Sequence, residues 1–308
     1  MNPRTFSWTS SPPLVSKTDR PKDPCVSMKD PTIVRHGGNW HLFCTIRSQI
    51  RSHQIEYMSF PDWSGANEAE RHVLTLTDGY FCAPQIFYYA PHKLWYLLYQ
   101  THTGERLQPS VSTTSDISDP TSWSRPIHLY DDPPNVKMWI DFWIICDHDN
   151  AHLFYTSLNG RMWRAQTTRA DFPKGWSQPR LVLQAEVFEA SHTYRLKDGG
   201  YLTLVEAEEE GRRRYCAYES DSLEGSWSPV ADDLASPFAG VANVAFEGQP
   251  WAHNISHGEL LRTGVDEYLE IDENDMRFLY QGATDEQRRD IPYGAIPWRL
   301  GLLTPTEG

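Results

Sequence analysis

The sequence predicts an all-β protein, a single five-bladed β-propeller, on three observations. The dipeptide Trp-Ser recurs at Trp63-Ser64, Trp123-Ser124, Trp176-Ser177 and Trp227-Ser228, at separations of 60, 53 and 51 residues. An apolar run of strand type precedes each pair, and a fifth run stands near the end of the chain. About ten residues ahead of each run lies another short strand pattern. Units of roughly 40–60 residues, each a few antiparallel strands, are the signature of propeller blades.

The elements follow in chain order. Residues 1–25 are expected to form an N-terminal segment that closes onto the last blade. The first-strand patterns are DPTIV (30–34), PQIFYY (84–89), IDFWIIC (140–146), EASHTY (189–194) and HGELLR (257–262). Their partners are NWHLFCT (39–45), LWYLLYQ (94–100), AHLFYTS (151–157), YLTLVEA (201–207) and RFLYQG (277–282). Aromatic and β-branched residues dominate both sets, and helical periodicity is nearly absent. The turn signals HGGN, APHK, HDN and KDGG separate the two strands in the first four copies. The Trp-Ser pair then marks a late turn in four blades, with its Trp packed between neighbouring blades. One domain over residues 1–308 accounts for the whole pattern.

Composition narrows the function classes. The 308 residues are 39% hydrophobic and 22% charged, as in a folded protein. A formal net charge of −13 argues against nucleic acid and against an anionic membrane surface, both of which need clustered Lys and Arg. No stretch approaches a membrane span. The five cysteines are scattered without metal-ligand spacing and are read as buried thiols. The opening MNPRTFSWTSSPPL has no apolar signal core, so the chain as written is expected to be cytoplasmic, or secreted if a leader preceded it. The expected partner is a neutral carbohydrate, bound by a monomer.

The first strand of each blade lines a propeller's channel. Counted back from the following apolar runs, one place in each blade holds Asp30, Gln85, Asp141, Glu189 and His257. Three carboxylates converging on one axis raise one another's pKa and suit acetal hydrolysis. One must stay protonated for the leaving oxygen, and another must stay ionised to activate water.

The segments SMKDPTIV, APQIFYY, WIDFWIICD, FEASHTYRL, NISHGELLRT and IPWRLGLLT together resemble the glycoside hydrolase family 62 α-L-arabinofuranosidases, in order and over almost the whole chain. The resemblance implies an inverting, exo-acting enzyme that removes arabinofuranosyl branches from arabinoxylan, arabinan or their fragments. It implies Asp30 as general base, Glu189 as general acid and Asp141 as the residue that tunes the acid. Lys29 and Tyr293 would bind or shape the sugar, with Gln85, Trp139, His192 and Arg299 as further contacts. His257 would reach a calcium ion at the channel centre, with waters completing its shell. The chain departs from the family pattern at Phe81, His192 and Gly294. Two other readings stay open: a related furanosidase or xylosidase of the wider five-bladed clan, and a non-catalytic carbohydrate-binding or protein-interaction propeller.

Overall fold

A computed structural model describes residues 4–306 except Glu105 and Lys137. Its strands assemble into five sheets, one per blade, antiparallel but for an added parallel edge strand in blades four and five. Each of the first four blades opens with an inner strand at the axis: Cys25–His36, Phe81–Tyr89, Ile140–Cys146 and Glu189–Leu196. The second strands, Asn39–Ser48, Leu94–Thr103, Asn150–Thr156 and Tyr201–Glu209, return outward. Blade five is built on the inner strand Asn254–Leu260 and then Phe278–Ala283. The inner strands pack side by side in the order one, two, three, four, five, and five returns to one. Both faces of each blade are covered by neighbours, which is why the inner and second strands read as apolar runs rather than as a clean alternation.

The ring is closed by the chain's own beginning. Trp8–Ser10 pairs antiparallel with Arg299–Pro305 in blade five, joining the two ends of the chain in one sheet. The Trp-Ser pairs recur for a backbone reason as well as a packing one. Ser124 Oγ accepts from Thr113 N, and Ser177 Oγ accepts from Gln166 N, so each serine holds its blade's third strand. Trp123 sets its edge against Phe43 of the preceding blade, and Trp227 against Phe154 of blade three. Trp63 departs from this pattern and packs within its own blade, on Trp40 and Phe60. All five cysteines are buried and unpaired.

At the C-terminal ends of the inner strands a plug segment, residues 261–271, crosses the channel. Arg262 donates to the carbonyls of Ile33 and Ile86, on blades one and two. Cys146 N of blade three donates to Glu267 O, and Arg195 N of blade four to Leu269 O. Ala90 N donates to the Glu267 carboxylate, which also pairs with Arg169. This stitching closes one end of the channel and leaves the other end for a ligand.

Candidate active site

Every inner strand carries a bulge near its start, at Lys29–Thr32, Cys82–Gln85, Ile140–Trp143, Glu189–His192 and Ser256–Gly258. Asp30, Ala83, Asp141 and Ala190 sit in these bulges at positive φ, 51° to 56°. Such strain in a non-glycine residue persists only where its surroundings fix it. A repeated hydrogen bond does so here. The second-strand residues registered opposite the bulges are Thr45, Gln100, Thr156, Glu206 and Gln281. Four of them accept the bulge N–H of the next blade: Thr45 from Ala83, Gln100 from Asp141, Glu206 from His257 and Gln281 from Asp30. In the remaining case the Asp141 carboxylate accepts from Ala190 N at 3.1 Å, and Thr156 Oγ1 has no protein partner among the described residues.

The bulges aim their side chains into a cavity of about 1280 Å³. Lys29, Asp30, Asp141, Glu189, His257 and Tyr293 all line it. His257 Nδ1 stands 3.6 Å from Asp30 Oδ1 and 3.8 Å from Asp141 Oδ2. Lys29 Nζ is 3.5 Å from Asp30 Oδ2 and 4.8 Å from the centre of the Tyr293 ring. Glu189 Oε1 receives Arg213 Nη1 at 2.6 Å, and the same nitrogen reaches Glu206 Oε1 at 2.9 Å.

Two cations, Lys29 and Arg213, thus face four buried carboxyls, Asp30, Asp141, Glu189 and Glu206. The cluster keeps protons that bulk water would take. Burial pushes Asp141 well above the usual carboxylate range, reinforced by Glu189 and Asp30. Burial also pushes Glu206 up to about 7, against the pull of Arg213. Asp30 goes the other way: burial would raise it, but Lys29, His257 and the Thr45 hydroxyl together hold it below its ordinary value. One carboxyl held ionised beside another held protonated is the division of labour that acid–base hydrolysis of an acetal needs.

Four residues expected at the sugar stand elsewhere. Gln85 is fully buried and spends its amide on Ile144 N and O, clamping blade two to blade three. The residue that occupies the place of Asp30 in blade two is Ala83. The count back from the apolar run slips by two because the blade-two hairpin leaves four residues between Tyr89 and Leu94, where blade one leaves two between His36 and Asn39. Trp139 is core, packed on Tyr130, Phe142 and Tyr155 with its Nε1 donating to Leu107 O. Arg299 lies over Trp251, and His192 lies behind the wall. His192 stacks on Trp143 at 4.2 Å, meets the edge of His257 and bonds Gly258 O. Phe81, also a departure from the family pattern, is fully buried against Tyr99. Reasoning from the sequence missed Glu206 and Arg213. Glu206 had a signal, a carboxylate closing the apolar run YLTLV. Arg213 had none, because it sits in GRRRY, which reads as an exposed charged turn.

A cation at the axis fits the donor set. Ligand-type atoms of Asp141, Glu189 and His257 lie within 4.8 Å of one another, a span that two metal–ligand distances of roughly 2.3–2.6 Å can bridge.

Fold and cavity define a propeller glycoside hydrolase, with carboxyls from separate blades meeting at a channel closed at one end. Residues 7–304 match the model of glycosyl hydrolase family 62, and the chain belongs to that family. It is 37% identical over 307 residues to α-L-arabinofuranosidase C of Cellvibrio japonicus, covering 96% of this chain and 46% of that protein. The chain therefore spans about half the length of this relative. Among solved structures, the catalytic domain of the Coprinopsis cinerea GH62 α-L-arabinofuranosidase superposes with a TM-score of 0.93 at 38% identity, covering 99% of this chain and 98% of that one. The Podospora anserina α-L-arabinofuranosidase, crystallised with cellotriose, gives 0.92 at 37% identity over the same shares.

Proposed function

We propose that the chain is an exo-acting, inverting α-L-arabinofuranosidase that removes arabinofuranosyl branches from arabinoxylan or its fragments. The observation that carries this reading is the pairing of Asp30 and Glu189 on the wall of one cavity, from blades that are not neighbours. Asp30, held ionised by Lys29, acts as general base on water. Glu189 protonates the leaving oxygen. Asp141, within 4.8 Å of it, keeps a proton in the cluster and holds the sugar. Lys29 and Tyr293 face the ring hydroxyls. The relatives' arabinofuranosidase activity supports the choice of sugar. A carbohydrate-binding propeller would have no use for a carboxyl held ionised beside one held protonated.

The test is release of free arabinose from wheat arabinoxylan, with the sugar identified by chromatography. Glu189→Gln should lower that release by about 10²–10⁴-fold while keeping the fold, since general acid catalysis typically contributes that much. Near wild-type turnover in the variant would remove Glu189 from this role.

A bound calcium ion is part of the proposal. His257 would reach it, with waters completing its shell, and its charge would offset repulsion among the carboxyls at the axis. Chelation should lower the melting temperature, and added calcium should restore it. A melting curve indifferent to both would count against the ion.

A further inference from the structure

Asp30 and Glu189 stand on blades one and four, yet one unbroken chain of buried hydrogen bonds joins them through blade five. Asp30 N donates to Gln281 Oε1 at 2.8 Å. Gln281 Nε2 donates to Ser256 Oγ at 3.0 Å. Ser256 Oγ donates to Glu206 Oε1 at 2.8 Å. That carboxylate oxygen also receives Arg213 Nη1 at 2.9 Å, and Arg213 Nη1 holds Glu189 Oε1 at 2.6 Å. The serine hydroxyl gives its one proton to Glu206 and accepts from Gln281, while Arg213 Nη1, 3.3 Å away, shares its two protons among Glu189, Glu206 and Ser256. Gln281, Ser256 and Glu206 are fully buried, and Arg213 is nearly so.

Arg213 has no room to drift. Its guanidinium lies over the rings of Phe188 at 4.7 Å, Tyr293 at 5.1 Å and Trp298 at 5.8 Å. Glu208 holds its Nε at 3.1 Å, and its backbone N–H is fixed by Asn254 Oδ1. At the other end, the bond from Gln281 pins the backbone of Asp30 in its positive-φ bulge.

We infer that Gln281, Ser256, Glu206 and Arg213 form a strap that sets the separation between base and acid across the missing neighbour contact, so that these four are positioning residues for the hydrolysis. The inference rests on the reading of Asp30 and Glu189 as base and acid. The need for such a device is geometric. Two groups on adjacent blades are fixed by direct strand packing, whereas these two are separated by a whole blade. A misplacement of about 1 Å can cost about 10²-fold in rate.

A double-mutant cycle on the full chain tests it, with Arg213→Lys at the acid end and Gln281→Met at the base end. Two substrates are compared, arabinoxylan and 4-nitrophenyl α-L-arabinofuranoside, whose good leaving group needs little protonation. Arg213→Lys should lower kcat on arabinoxylan about tenfold to hundredfold and change the nitrophenyl rate by less than about threefold. Gln281→Met should lower kcat on both substrates with KM little changed, because water activation is common to both. The double variant should fall no further on arabinoxylan than the worse single one, since both cuts open the same strap. If Arg213→Lys fails to fold, Ser256→Ala, which removes one hydroxyl at the middle of the strap, takes its place in the cycle. Losses that multiply, or an Arg213→Lys variant that loses both substrates equally, would overturn the strap while leaving the enzyme an arabinofuranosidase. A wild-type chain that released arabinose from neither substrate would overturn the functional reading and this inference with it.

Discussion

Burial, Glu189 and Asp30 all push the Asp141 carboxyl above its ordinary range, and folding stability must record it. The unfolded chain ionises Asp141 near pH 4, while the folded chain keeps the proton. Stability contributed by the neutral carboxyl is complete below the unfolded pKa and is lost as pH rises toward the folded one. Asp141→Asn carries no such proton, and its amide oxygen can still accept from Ala190 N. The Tm of this variant minus that of the wild type should therefore widen from pH 4 through neutrality in calcium-free buffer, by about 1–3 °C per pH unit. A gap that stays flat over that range would contradict the charge arrangement at the axis. Asp30 has the opposite sign, contributing stability above its unfolded pKa that is lost on acidification. The sequence made Asp30, Asp141, Glu189 and His257 visible because polar groups interrupt first strands that otherwise read apolar. Counting from one strand to the next misplaced Gln85, since hairpin length is invisible to that count. Trp139 and Arg299 were misread because motif membership says nothing about which way a side chain turns.

The strands themselves were legible for a simple reason. Each blade is buried on both faces, so its inner and second strands carry runs such as LWYLLYQ that no exposed element would carry. The bulges were not legible, because Asp30, Ala83, Asp141 and Ala190 share a backbone conformation and not a residue type. The plug, residues 261–271, was equally hidden; it has no periodicity, and its hydrogen bonds run to backbone N–H and carbonyl groups on other blades. Its anchor is Arg262, buried at 2.8 Å from Glu259 and donating to Ile33 O and Ile86 O. Arg262→Ala strands the fully buried Glu259 carboxylate, which burial already pushes upward in spite of Arg262. Breaking a buried pair from one side typically costs about 3–5 kcal/mol. The urea midpoint of Arg262→Ala should fall accordingly with the slope unchanged, and a loss below about 1 kcal/mol would mean that the plug is not held by this residue.

At the scale of the whole ring, the blade order bears on the stereochemistry of the proposed hydrolysis. The strand Trp8–Ser10 completes blade five, blade five returns to blade one, and the inner strands keep a fixed circular order. Blade one touches two and five, and blade four touches three and five, so the strands carrying Asp30 and Glu189 never pack directly. Their carboxyls enter the cavity from different blades, with His257 of blade five beside both Asp30 and Asp141, and with Asp141, Glu189 and His257 within 4.8 Å of one another. The proposed inverting reaction needs room there for a water as well as a furanose ring. Inverting hydrolases need roughly 6.5–9.5 Å between the two carboxyls, whereas retaining ones close to about 5–5.5 Å so that one of them attacks the sugar. An α-linked arabinofuranose should therefore leave first as the β anomer. Proton NMR in the first minutes of hydrolysis resolves the two anomers before mutarotation mixes them. Early appearance of the α anomer, or a glycosyl-enzyme trapped on Asp30 or Glu189, would show that the carboxyls meet more closely than the ring allows and would take the general base away from Asp30.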